Sequence, residues 1–255
     1  MNGASKVGAF FDLDGTVLPA PSIERRFLRY TISRGKLGPA QMLRWAARFV
    51  RMVAVDPRAA TQGNKAHFTE MSTGVAREWE VRLSTRPLQF FSAGLRLLEW
   101  HAARGHRIFL VTGAPEPLAE IAARRLPVPV EIVATQLEER NGRWTGILRG
   151  EHICGEAKRR AIERIAATED VDLTRSFAYG NSYSDVAILE SVEFPTVVNP
   201  TELLERLAHL RGWPVLEWHA TEARAEAVAT RAIPPSSEPR RALISIVHPS
   251  FGANR

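Results

Sequence analysis

Cysteine is almost missing from this chain: Cys154 stands alone among 255 residues, so no intramolecular disulfide can staple the fold and a disulfide scaffold is excluded. Histidine is sparse as well, and the seven present show no His-Glu-x-x-His or similar paired spacing, which sets zinc modules aside. No apolar run reaches the 18 residues a membrane-spanning helix needs, and mean hydropathy is −0.16. A transmembrane protein is therefore not expected. Asp12 and Asp14 interrupt the first apolar stretch, unlike the unbroken core of a secretory leader, so a cytoplasmic protein is expected. No internal repeat is visible.

What the chain does have is an ordinary globular balance, 45% hydrophobic and 24% charged residues. Its length suits one large α/β domain, or a core domain with a smaller insert. The excess positive charge is local. Net charge is +6, yet residues 21 to 60 alone hold nine Arg or Lys against Glu24 and Asp56, which is +7. Basicity confined to one segment points to a surface that meets an anion, or to a solvated helix face. An evenly basic chain would suggest nucleic acid, which is not expected as a partner here.

Val7 to Leu13 reads as a short strand buried on both faces, closed by an Asp-Gly-Thr turn. Beyond Pro19 and Pro21 the period turns helical: Met42, Trp45, Ala46, Phe49 and Val53 share one face, and Arg44, Arg48 and Arg51 another. The pattern continues through Phe68, Met71, Val75 and Trp79, so residues 19 to 88 are expected to form a helical cap inserted after the first strand. From Gly94 onward helix and strand signals alternate. Helices are expected near 95–104, 117–125, 156–167, 185–191 and 201–210, and strands near 107–111, Ile132, 176–179, 196–198 and 215–218. This alternation predicts an α/β fold with a doubly wound, mainly parallel, Rossmann-like sheet. Asn141-Gly142 marks a hairpin leaving that sheet. The organisation expected is a core from 1–18 and 89–222, the cap, and a linker and tail over 223–255, where Pro234-Pro235-Ser236-Ser237 stands. The six tryptophans are expected to fill the cores.

Chemistry gathers at the predicted strand ends. Asp12-Leu13-Asp14-Gly15-Thr16 follows the first strand, placing two carboxylates where open α/β sheets hold ligands. Two such charges repel by roughly 4 kcal/mol at 4 Å and an effective dielectric of 20, and a cation would offset this. Thr112 and Gly113 end the next strand and suit an oxyanion, through the Thr112 hydroxyl and backbone N–H groups. Lys158 opens a helix after Gly155, and Asn181 to Asp185 follow a further strand. Each has a plainer reading, as a cap or a solvated helix charge. Their joint order at successive strand ends favours a site.

These four motifs, across residues 6 to 212, resemble the haloacid dehalogenase superfamily of hydrolases, in particular the phosphoserine phosphatase-like subclass with a helical cap. The resemblance implies a Mg²⁺-dependent phosphatase for a small phosphomonoester. It makes Asp12 the nucleophile and Asp14 the general acid and base. Thr112 and Lys158 would hold the phosphoryl group with the backbone of Leu13 and Gly113, and Asp12, Asp14, Asn181 and Asp185 would hold the metal. A carboxylate at Asp14 goes with phosphatases in this family, which disfavours dehalogenation. Two positions depart from the pattern. Asn181 replaces a customary aspartate, with Ser184 where an asparagine is frequent, so weaker Mg²⁺ binding is expected. Pro21 stands where phosphoserine phosphatases carry a glutamate, with Glu24 displaced, so phosphoserine is not the expected substrate. Arg25 and Arg29 of the cap are expected at the substrate if they face the cleft. If they face outward, an anionic membrane and a phospholipid head group are the alternative. A non-catalytic phospho-ligand binder of the same fold is the remaining reading.

Overall fold

A computed structural model describes residues 5–39, 42–43, 46–47, 50–51, 54 and 65–219. Trp45, Phe49, Val53, Arg44, Arg48 and the expected tail lie outside the described residues. At the centre is β1 (Gly8–Phe11), whose four residues are all buried. Side chains alternate across a strand, so Phe10 stacks on Phe109 at 5.0 Å on one face and Phe11 on Tyr179 at 4.4 Å on the other. A strand covered on both sides has no polar face to show, which is why Gly-Ala-Phe-Phe is apolar throughout.

Around it lie β2 (Arg107–Pro115), β3 (Glu131–Thr135), β6 (Phe177–Gly180), β7 (Phe194–Val198) and β8 (Val215–Leu216), in the order β3-β2-β1-β6-β7-β8. Every pairing in this sheet is parallel. Helices α3 (Ser92–Ala102) and α4 (Glu116–Ala123) cover one face through Leu97, Leu98, Leu118 and Ile121. Helices α5 (Glu156–Glu169), α6 (Val186–Leu189) and α7 (Glu202–Arg211) cover the other through Ile162, Ile188 and Leu204. The sheet is thus doubly wound. The chain runs outward from β1 to β3, then returns to lay β6 on the other side of β1, so strand order reverses beside β1. Crevices open above the carboxyl ends of the strands at such a reversal.

Between β1 and α3 the chain makes a helical excursion. Helix α1 (Ile23–Ser33) is capped by the Ser22 hydroxyl, which accepts from Arg25 N–H at 3.3 Å. It buries Ile23, Phe27 and Thr31 at four-residue spacing. Helix α2 (Gly74–Arg82) adds Val75, Ala76 and Trp79. Phe27 meets Phe68 at 5.9 Å, Trp79 at 5.4 Å and Trp144 at 6.4 Å. Trp144 comes from the hairpin β4 (Leu137–Arg140) and β5 (Arg143–Leu148), whose Asn141 and Gly142 both take positive φ, 52° and 72°. That twist closes a two-residue turn between right-twisted strands. The hairpin docks on the excursion by backbone: Glu70 N–H donates to Trp144 O at 2.8 Å and Trp144 N–H to Met71 O at 3.0 Å.

Two elements differ from the sequence pattern. Strand β2 runs on to Pro115, past the expected end at Val111, through a register shift between Thr112 and Pro115. The helix expected over 185–191 shrinks to a 3-10 turn at Tyr183–Asp185 followed by α6. Ser182 and Asp185 close a reciprocal capping box there, which turns the Asp185 carboxylate inward instead of into a regular first turn.

Candidate active site

Asp12 N–H donates to Tyr179 O at 2.9 Å, extending the β1 and β6 pairing by one residue. The loop then folds tightly: Leu13 O accepts from Leu18 N–H at 2.8 Å and Gly15 N–H donates to Leu18 O at 2.7 Å. Gly15 has φ +92°, and a Cβ there would stand 2.0 Å from Asn181 Nδ2. Only glycine lets the loops after β1 and β6 approach this closely.

Lys158 joins the two strand ends. Its ammonium donates to Asp12 Oδ1 and to Asp185 Oδ1, each at 2.6 Å, and all three residues are buried, with Asp185 fully so. Asp185 Oδ2 in turn accepts from Asn181 N–H at 3.1 Å, Ser182 N–H at 3.0 Å and the Ser182 hydroxyl at 3.1 Å. A buried ion pair is well kept only when its remaining lone pairs are satisfied, and Asp185 meets that condition. Gly155 N–H donates to Ser184 O at 3.0 Å, fixing the start of α5, and hence Lys158, against the β6 loop.

Burial pushes the Asp12 carboxyl up to about 7, with the Asp185 and Asp14 charges adding to it, against the downward pull of Lys158. For Lys158 burial works against the charge, but Asp12 and Asp185 outweigh it and hold the ammonium protonated. Asp14 is half-buried and its Oδ1 accepts from Ile23 N–H at 2.7 Å, at the start of α1. Burial raises its carboxyl to about 6, with the Ile23 N–H opposing. Thr112 is buried, and its hydroxyl accepts from Ala114 N–H at 3.1 Å, holding the bend at the end of β2.

Asn181 Oδ1 is buried and has no hydrogen-bond partner among the described residues, as suits an oxygen that ligates a cation. Among the described residues no three His, Cys, Asp or Glu side chains gather as a metal cluster. A cation here would therefore draw on the Asn181 amide oxygen together with the Asp12 carboxylate.

The arginines of the sequence reading fall elsewhere. Arg25 and Arg29 are exposed on the side of α1 opposite Ile23, Phe27 and Thr31, because the helical period that buries those three turns positions 25 and 29 outward. No hydrogen bond or ion pair ties either guanidinium to Asp12, Asp14 or Lys158. Arg26, between them, instead braces the loop, donating to Pro21 O and Pro19 O at 2.8 Å each.

Sequence reasoning missed a second charged group. Glu24 is ion-paired to Lys65 and lies 3.1 Å from His67 Nε2, and both partners are buried. Burial alone would raise the Glu24 carboxyl, but Lys65 and His67 hold it down at about 2. Glu24 and Lys65 also act on Asp14, so this group belongs to the same crevice. His152 was missed as well. Its ring lies against Gly113, where an added Cβ would be 3.1 Å from Cε1. The signal was faint because Glu24 and Lys65 are 41 residues apart, with no shared period to link them.

A family model for haloacid dehalogenase-like hydrolases matches residues 9–190. A probable phosphatase of Mycobacterium tuberculosis is 30% identical over 222 residues, covering 84% of this chain and 76% of that protein. A crystal structure of a protein of unknown function from Bordetella pertussis Tohama I aligns with a TM-score of 0.68 and 27% identity, over 84% of this chain and 99% of that one. A phosphoserine phosphatase structure with an analogue of the phospho-aspartyl intermediate shares the fold, with a TM-score of 0.59 at 14% identity, over 84% of this chain and 94% of that one. The chain belongs to the haloacid dehalogenase-like hydrolases and has the phosphoserine phosphatase-like fold.

Proposed function

We propose that the protein is a Mg²⁺-dependent phosphatase that cleaves a small phosphomonoester through an aspartyl-phosphate on Asp12. The observation that carries this reading is the buried bridge of Lys158 between Asp12 and Asp185, with which an Asp14 carboxyl raised by burial to about 6 interacts electrostatically. The named phosphatase relative supports the same reaction class.

With Oδ1 fixed by Lys158, Asp12 presents Oδ2 to the phosphorus. As the Asp12–phosphorus bond forms, the bond from phosphorus to the leaving oxygen breaks, and protonated Asp14 gives that oxygen its proton. Asp14, now ionised, takes a proton from the water that attacks the aspartyl-phosphate, releasing phosphate and restoring Asp12. A pKa near the working pH suits both halves of this exchange. Lys158 balances the charge of carboxylate and phosphoryl group, and Thr112 with the Leu13 and Gly113 backbone fixes the phosphoryl oxygens. The Asp12 carboxylate and Asn181 would hold Mg²⁺, which would shield phosphate from carboxylate when bound, while Asp185, its oxygens taken by Lys158, Ser182 and the Asn181 N–H, adds negative charge beside them. The described residues of the excursion bring Glu24, with Lys65 and His67, beside Asp14 on the leaving-group side, where the alcohol is selected.

A panel of phosphomonoesters assayed for phosphate release, with Mg²⁺ and with chelator, tests the reading. The wild type should release phosphate from at least one ester only with Mg²⁺, and Asp12→Asn should be folded and inactive. An Asp12→Asn protein as active as the wild type would overturn it.

A further inference from the structure

The geometry points to His152 as a substrate-contacting residue: its Nε2–H is aimed over Gly113 to donate a hydrogen bond to a phosphoryl oxygen. This rests on the phosphatase reading above and adds a donor from the loop before α5. Three observations carry it. First, His152 Nε2 stands only 3.4 Å from where a Gly113 Cβ would be, with Cε1 at 3.1 Å, so the absent side chain at 113 is what gives the ring its seat at the end of β2. Second, the other ring nitrogen is engaged: His152 Nδ1 is 3.0 Å from Thr135 Oγ1, at the end of β3.

Third, the tautomer follows from Thr135. Its side chain is fully buried, and its oxygen already accepts from Ile153 N–H at 3.1 Å. A buried hydroxyl hydrogen needs an acceptor, and His152 Nδ1 is the one within reach among the described residues. Nδ1 therefore accepts, and the ring proton sits on Nε2. Thr135 is thus a positioning residue, acting on substrate only through His152. Burial, with Lys65 next in weight, pushes the His152 pKa down to about 4, so the ring stays a neutral donor at neutral pH. Lys65 and Glu24, from the excursion, and Lys158, from the core, act electrostatically on the ring. A neutral donor can hold a phosphoryl oxygen without adding to the charge already supplied by Lys158.

Long-range nitrogen–proton NMR of the wild-type protein, titrated with inorganic phosphate, reads this without turnover. His152, assigned by its loss in His152→Ala, should show the Nε2–H tautomer from pH 6 to 8, and its Nε2 resonance should move on adding phosphate. Thr135→Val should let the tautomer redistribute. In turnover, His152→Ala should lower kcat/KM and weaken inhibition by inorganic phosphate, each by roughly 10-fold, the scale of one hydrogen bond to a charged group. His152→Gln, whose amide N–H reaches the Nε2 position, should recover most of that loss. An Nδ1–H tautomer, a resonance indifferent to phosphate, or an alanine variant with wild-type kcat/KM would overturn the proposal. Wild-type protein inactive on every ester would instead overturn the phosphatase reading, while the tautomer and phosphate titration would still be read.

Discussion

Lys158 shows how much a single residue carries in this molecule. It is one ammonium between two buried carboxylates, and removing one partner of such a group leaves uncompensated charge, at about 3–5 kcal/mol. Lys158→Met should therefore unfold at lower urea than the wild type at pH 7 and lose at least about 100-fold in turnover. Wild-type turnover in a folded Met variant would remove Lys158 from the chemistry. Glu24 offers a pH test. Its carboxyl titrates at about 2 in the folded chain against an ordinary value of 4.5, so its stabilisation is complete above about pH 4.5 and is lost as pH falls toward 2. Urea melts at pH 7 should find Glu24→Gln less stable by roughly 3 kcal/mol, and the gap should narrow below pH 4.5. A gap that is constant with pH would contradict the charge pairing. The meeting of Asp12, Lys158 and Asp185 was legible because each follows a strand or opens a helix in a fixed order. Glu24, Lys65 and His152 were not, since their partners are set by how the cap and hairpin fold back and not by any local period.

At the scale of elements, the pattern was legible wherever one face of a helix or both faces of a strand had to be apolar. Gly-Ala-Phe-Phe announced β1, and Asn141-Gly142 announced the β4 and β5 hairpin. What remained hidden was attachment. Nothing in residues 137–148 says that the hairpin pairs with Glu70 and Met71 or lays Trp144 between Phe27 and Phe68, where the Phe68 contact is 5.3 Å. Likewise the short helix after β6 was overread, because a capping Asp185 looks like an ordinary first-turn acid until its partners are seen. Trp144→Ala empties the ring cluster that joins α1 to the hairpin, and thermal or urea unfolding should register a loss of about 3–5 kcal/mol. On the proposed reading KM should rise more than kcat falls, since the excursion contributes to the leaving-group side while Asp12 follows β1 and Lys158 stands on α5. Unchanged stability would mean the ring is not packed as described.

For the molecule as a whole, function follows from topology. Strand order reverses beside β1, so the loops after β1, β2 and β6 converge above one point, and the helix carrying Lys158 starts against the same loops. No helix among the described residues is long and apolar enough to cross a membrane. The loops after the strands supply fixed carboxylates, and the first helix of the excursion between β1 and α3 is tied to Asp14 through the Ile23 N–H. The most direct measurement is an acid quench during turnover of a phosphomonoester found active in the panel, carrying labelled phosphate, followed by peptide mapping. Label should appear on the peptide containing Asp12 and be absent in Asp12→Asn. Rapid turnover with no protein-bound label, or label on another residue, would contradict the account.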